Sequence, residues 1–276
     1  MDIVHASRIQ WGENLAAHRH GAMAHKILFE GEEGSPDNFL LVLAREGADY
    51  FSPRHRHAWD QVRYCLEGSV PIGRDSSVGA GEVAYFPEGV PYGPQQDGPD
   101  RIELLLQFGG ASGQGYLSAA QMRRAREELS RDGAFEGGVY RRAGKNQDAY
   151  EAIWQHVTGK PLDYPRPRYE APIVMRPGGF DWHRTNDGVE QKFVGLFFER
   201  GLVLKFVRIA AGAAAVADAD ARMYLIFVCE GEGRCGGEPF APGTAIRLAP
   251  GEAAAFTAET DCELFVIGVT PVLSLP

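Results

Sequence analysis

Pro53-Arg54-His55-Arg56-His57-Ala58-Trp59-Asp60-Gln61-Val62-Arg63-Tyr64-Cys65-Leu66-Glu67-Gly68, followed by Gly81-Glu82-Val83-Ala84-Tyr85-Phe86-Pro87-Glu88-Gly89, is the stretch on which the reading of this chain turns. In extended backbone, residues two apart project to one face, so the imidazoles of His55 and His57 can reach one cation, and Gln61 falls on the same parity. Arg63 and Cys65 continue that face. Glycine and proline bound the short apolar run Val83 to Phe86, the punctuation of a strand that ends in a turn.

The same texture extends outward in two blocks. Short apolar or alternating runs cover Phe39 to Ala44, Gln61 to Leu66, Val83 to Phe86 and Ile102 to Phe108. They return over Val194 to Phe198, Leu202 to Val207, Met223 to Val228, Thr244 to Leu248 and Glu263 to Val269. Strands this short predict an all-β fold of sandwiches or barrels. Between the blocks the period changes. Ser118-Ala119-Ala120-Gln121 has the form of a helix capping box, and Lys145 to Thr158 places Tyr150, Ile153, Trp154 and Val157 on one helical stripe ending at Gly159. Two β units joined by a helical connector are expected.

A chain of 276 residues can bury one large or two medium cores. A net charge of −9 argues against nucleic acid or an anionic membrane as partner, since both require a basic surface. Cys65, Cys229, Cys235 and Cys262 show neither metal-type pairing nor a dense disulfide framework, which points to a reducing compartment. With no leader-like opening and no apolar stretch of roughly 20 residues, the expected location is the cytoplasm.

The spacing His55-x-His57-x(3)-Gln61-x(6)-Gly68 resembles the first motif of the cupin superfamily, His-x-His-x(3,4)-Glu-x(6)-Gly. Gly81 to Gly89 resembles its second motif, Gly-x(5)-Pro-x-Gly-x(2)-His. This resemblance implies a double-stranded β-helix, or jelly-roll, barrel, a small-molecule function and a divalent metal. Two departures qualify the ligand set: Gln61 stands where the family has glutamate, and Tyr92 where it has the third histidine. A neutral amide oxygen binds weakly, and a phenol, of free pKa about 10, ligates well when ionised or held by a strong Lewis acid. The metal set implied is His55 and His57 with Gln61 and Tyr92, and the ion is Fe(II), with Mn, Ni or Zn as alternatives, or none if the barrel has lost it.

The second block overlays the first when Glu67-Gly68 is matched to Glu230-Gly231, which resembles a second, degenerate cupin. Asp218 and Asp220 then replace the histidines, Tyr224 replaces Gln61, and Ile226 and Val228 replace Arg63 and Cys65. Gly243 and Gly251 take the places of Gly81 and Gly89. Asp218 and Asp220 read as solvated turn residues, so this barrel is expected to carry no metal. An arginine in a barrel interior is costly unless an anion meets it, so the first barrel is expected to hold a polar pocket and the second a filled core.

Arg63 is either a clamp for a substrate carboxylate or enolate, or the partner of Glu103 in an internal ion pair. Tyr92 is a ligand, a proton donor or a rim aromatic; Trp59 and Tyr85 are packing residues, and Cys65 is a buried, inert thiol. His18, His20 and His25 read as an exposed N-terminal segment, and Gly109 to Gly115 as a flexible hinge. The expected organisation is a bicupin: residues 1–112 as the metal barrel, 113–176 as the connector and 177–276 as the degenerate barrel. The expected function is a mononuclear metal dioxygenase acting on a small anionic or dicarbonyl-like molecule, with Arg63 and Tyr92 as catalytic residues and a homodimer as the assembly. The alternatives are a non-catalytic small-molecule binder or sensor, and a metal-independent isomerase or lyase with Tyr92 as the acid.

Overall fold

The computed structural model describes residues 1–12, 21–96 and 98–272. The first half carries β1 (Asp2–His5), β2 (Met23–Glu30), β3 (Phe39–Glu46), β4 (Trp59–Glu67), β5 (Ser69–Gly73), β6 (Ser76–Gly79), β7 (Val83–Phe86) and β8 (Arg101–Gly109). The connector holds α1 (Ala119–Leu129), the three-stranded β9 (Ala134–Glu136), β10 (Val139–Arg142) and β11 (Lys145–Asp148), α2 (Ala149–Thr158) and β12 (Ile173–Met175). The second half carries β13 (His183–Asn186), β14 (Val189–Phe197), β15 (Leu202–Ile209), β16 (Ala214–Asp218), β17 (Met223–Glu230), β18 (Gly233–Cys235), β19 (Glu238–Phe240), β20 (Thr244–Leu248), β21 (Ala253–Ala258) and β22 (Cys262–Val269). The fold is all-β jelly roll, and among the described residues no helix is long and apolar enough to cross a membrane.

The internal repeat is visible in strand order. One sheet runs β12-β7-β4-β8-β3-β2 and the other β1-β20-β17-β22-β15-β14-β13, so β4 and β17 occupy equivalent places between equivalent neighbours. The irregularities repeat as well: the β4–β8 register slips between Cys65 and Glu67, and the β17–β22 register between Val228 and Glu230. Each bulge is followed by a glycine at positive φ, Gly68 at 73° and Gly231 at 85°. A Cβ on either would lie 2.3 Å from a carbonyl oxygen, of Asp100 and of Asp261 respectively, so only glycine fits both turns. The outer strand of each sheet comes from elsewhere. β1 pairs with β20, and β12 pairs with β7, so residues 2–5 of the first half join the second sheet and residues 173–175 of the connector join the first.

Strand parity separates two kinds of core. Val62, Tyr64, Leu104 and Leu106 face the other sheet and meet Leu204, Phe206, Phe227 and Phe265 in one continuous buried cluster. The Tyr64 ring lies 4.9 Å from that of Phe265. Opposite-parity residues line each barrel's own interior. In the second barrel these are apolar and sealed, Ile226 and Val228 at 0% exposure among Leu248, Phe256 and Leu264. The first also has apolar lining, Cys65, Val70, Phe86 and Tyr92 among it, but sets the buried polar groups Gln61, Arg63 and Glu103 there as well.

The connector departs from expectation at one end. Ser118 caps α1 with Gln121 closing the box, as its sequence dictates, and α2 ends on Gly159 in left-handed conformation. But α2 begins at Ala149: Lys145–Asp148 pairs with β10, and the Asp148 carboxylate caps the helix by accepting from the Tyr150 and Glu151 amides. The apolar stripe that predicts the helix lies wholly after residue 148, so nothing apolar holds Lys145–Asp148 to a helical face. Gly109 to Gly115 is likewise no free hinge, because the Ser112 amide and hydroxyl both donate to the buried Glu88 carboxylate, at 2.8 and 2.6 Å.

Candidate active site

His55 and His57 lie in the extended segment that leads into β4, and Tyr92 in the segment after the Pro87-Glu88-Gly89 turn. The backbones of His55 and Tyr92 exchange hydrogen bonds of 3.0 and 2.9 Å, and the Gly89 amide donates to the His57 carbonyl at 2.8 Å. These three bonds bring the phenol to the imidazoles. Gly89 is required twice over: its φ is positive, and a Cβ there would lie 2.2 Å from the Pro165 carbonyl, where the connector crosses the turn.

The Tyr92 hydroxyl is the hub. Its oxygen lies 3.1 Å from His55 Nε2, 2.9 Å from His57 Nε2, 3.3 Å from Gln61 Nε2 and 3.3 Å from Arg63 Nη2. Arg63 Nη2 also donates to Gln61 Oε1 at 3.2 Å, which fixes the amide: the reverse orientation would press –NH₂ against the guanidinium. Gln61 therefore turns its nitrogen to the centre and offers no oxygen to an ion there. Arg63 Nη1 meets Glu103 Oε1 at 2.9 Å, so the internal ion pair forms while the other prong still reaches Tyr92. Burial pushes the Glu103 carboxyl up to about 7, against the pull of Arg63.

Whether these groups fit a divalent ion is decided by the donor set. His55 Nδ1 lies 2.7 Å from the Pro53 carbonyl, which places its proton there and leaves the Nε2 lone pair facing the phenol, the arrangement that orients a ligating imidazole. Adjacent ligands around an octahedral ion at about 2.1 Å are about 3 Å apart, which the two imidazole–phenol separations match. Each imidazole nitrogen thus stands at an adjacent-ligand separation from the phenol oxygen, and the two imidazoles with the phenol are the groups that would hold an ion. Among the described residues no three His, Cys, Asp or Glu side chains gather into a metal cluster, so the phenol is indispensable to this set.

Sequence reasoning missed a polar seam directly behind the site. Asp60, fully buried, accepts from the Tyr85 hydroxyl at 2.7 Å and from the Glu88 amide at 2.7 Å. Glu88 accepts from Arg168 of the connector at 2.9 Å. Arg200, between β14 and β15, is buried at 1% exposure; it donates to the Gly109 carbonyl at 2.7 Å and to that of Thr270. Burial pushes the Asp60 carboxyl up to about 7, opposed by its two hydrogen bonds. The available signal was parity: Asp60 shares its face with Val62 and Tyr64, where a carboxylate must find partners.

Other candidates resolve simply. Cys65 is buried, and burial pushes its thiol up to about 12. Asp218 and Asp220 are exposed, the Asp218 carboxylate accepting from the Asp220 amide at 2.9 Å, a turn arrangement. His25 is buried in β2 at 6% exposure, contrary to the expected exposed segment, because its parity turns it inward; His18 and His20 lie outside the described residues.

No family model matches this sequence, and no curated protein matches it. Solved structures match its fold. GK1651 of Geobacillus kaustophilus aligns over 99% of this chain and 96% of its own, with a TM-score of 0.59 at 12% identity. A protein of Nostoc punctiforme described as a "putative dioxygenase" aligns over 98% and 82%, with a TM-score of 0.65 at 11% identity. Oxalate decarboxylase of Bacillus subtilis aligns over 98% and 76%, with a TM-score of 0.59 at 12% identity. These likenesses show the fold shared with cupin-type jelly rolls.

Proposed function

We propose that the chain is a metal-dependent cupin-type enzyme, an oxygenase of a small anionic or dicarbonyl-like compound, working in the first barrel, with the second barrel a metal-free support. The convergence of His55 Nε2, His57 Nε2 and the Tyr92 oxygen within 3.1 Å carries the reading. It is supported by a fold shared with an oxalate decarboxylase and a "putative dioxygenase". A bound Fe(II), or Mn, Ni or Zn in its place, would supply Lewis-acid polarisation and access to oxygen chemistry. The chain's own groups do the rest. The Pro53 carbonyl keeps the proton of His55 on Nδ1, so Nε2 turns its lone pair to the Tyr92 oxygen. Arg63 sets its charge beside the phenol and draws an anionic substrate toward it, while Glu103 holds the guanidinium in plane. The apolar second barrel offers no equivalent groups. The same reading places the protein in the cytoplasm as a homodimer with a small-molecule partner.

Elemental analysis of protein purified without added metal tests this. Near-stoichiometric metal is expected, lost when His55 and His57 are both replaced by alanine and retained in Asp218→Ala/Asp220→Ala. Equal content in the double histidine variant would overturn the assignment. One observation favours a second reading: Arg63 is already paired with Glu103, as in a binder that does not turn its ligand over. Absence of metal from the untreated protein, with retained anion binding, would select that reading.

A further inference from the structure

Beside the metal-facing groups, the first barrel has an aromatic wall that the chemistry above does not use. Trp59 opens β4 on the same face as Gln61 and Arg63, one side-chain step toward the barrel mouth. Its ring centroid lies 4.2 Å from that of His57, 5.6 Å from Tyr116 in an edge-on arrangement, and 5.2 Å from Tyr150. Tyr150 comes from the first turn of α2 and Tyr164 from the segment after it, so the connector roofs this part of the barrel. Arg56 lies over the Tyr164 ring at 4.4 Å, and Gln114 donates to the Asp163 carbonyl at 2.6 Å, which ties the roof down. The Tyr116 hydroxyl is committed to Gln107 at 2.9 Å. Trp59 is not so provided for: only 7% exposed, it has no hydrogen-bond acceptor for its indole N–H among the described residues. A buried donor is ordinarily paired, so this one marks where an acceptor arrives from outside.

We propose that the organic ligand of the first barrel carries an aromatic ring, seated against Trp59 under Tyr150 and Tyr164, with a carbonyl, hydroxyl or carboxylate oxygen accepting the Trp59 N–H. Aromatic side chains favour a flat ring over an aliphatic one of equal size through edge and face contacts. The indole N–H adds a directional requirement that an unsubstituted hydrocarbon does not meet. The ring lies beside His57, which brings its substituents to the phenol and imidazoles. The proposal deepens the enzymatic reading by naming its substrate class, and it rests on that reading only for the identity of the site, not for the metal.

The test titrates the full chain calorimetrically with benzoate and with cyclohexanecarboxylate, matched in charge and size, before and after removal of metal by chelation. Benzoate is expected to bind roughly 2- to 12-fold more tightly. Trp59→Phe keeps a ring and deletes the N–H, and should weaken benzoate about five-fold. Tyr150→Leu removes one of the two connector rings of the roof and should reduce the preference between the two acids without abolishing it. Equal affinities in the wild type overturn the proposal. So does an unchanged benzoate affinity in Trp59→Phe, which would mean that the indole N–H points into a tyrosine ring and serves packing alone. A benzoate preference in protein that proves metal-free as purified leaves this proposal standing while the metal reading falls; a protein that is metal-loaded as purified but indifferent to the ring does the reverse.

Discussion

Replacing Tyr92 with phenylalanine removes one oxygen and leaves four nitrogens without it. The consequence follows from where those nitrogens sit. His55 and His57 are partly exposed, so their Nε2 atoms can turn to water. Gln61 and Arg63 are buried, at 0% and 5% exposure. Arg63 keeps Gln61 Oε1 and Glu103, but the Gln61 nitrogen faces a phenyl edge with no acceptor. A net loss of about 1 kcal/mol for the phenol's own bonds, plus about 1–3 kcal/mol for the stranded amide, gives about 2–4 kcal/mol of destabilisation. The measurement is urea unfolding of metal-stripped wild type and variant, analysed by linear extrapolation with a common slope. Metal retention, read on untreated protein, should fall as well, since two ligands remain of three. A stability change below about 0.5 kcal/mol, the range of an ordinary surface substitution, would refute the hub and return Tyr92 to the status of a rim aromatic.

Three further outcomes are expected. Ile226→Ala opens a cavity in the sealed second barrel and should cost about 2–5 kcal/mol, so a loss near zero would mean that its side chain does not face that core. Arg63→Met strands the buried Glu103 carboxylate and should lower stability by about 3–5 kcal/mol while weakening small carboxylates more than neutral analogues; unchanged anion affinity would remove Arg63 from the site. Asp60 rises from an ordinary 3.8 to about 7 on folding, so the unfolded chain loses this proton first and stability drains away as pH climbs between those values, by about 4 kcal/mol in total. Asp60→Asn should shrink that slope without abolishing it, because Glu103, raised to about 7, contributes in the same direction, and an unaltered pH profile of melting temperature would contradict the burial argument.

What the sequence disclosed and what it withheld divide along locality. β4, β8, β17 and β22 are legible because each alternates residues between two buried faces. The three residues of β12 and the four of β1 carry no period of their own, and their partners lie far away in sequence, so nothing local announces them. Polar Lys145–Asp148 reads as the start of a helix because it adjoins an apolar stripe, whereas its backbone pairs with β10. The same rule governs the site. His55, His57 and Gln61 follow from spacing. The central place of Tyr92 does not, because it depends on its backbone pairing with His55 and on an amide orientation dictated by Arg63. Arg200 and Arg168 gave no sign in advance, since a charged residue in a loop reads as solvated until a buried carboxylate or carbonyl is known to face it.

The crossed leading strands make the molecule a tethered, arm-swapped pair. β1 precedes the first repeat and completes the second; β12 precedes the second repeat and completes the first. A chain cleaved at the exposed Gly137, between β9 and β10, would therefore leave two fragments that each hold the other's missing edge. Neither should persist alone, since each would expose the open flank of β7 or β20, yet mixed in equal amounts they should reassemble by complementation.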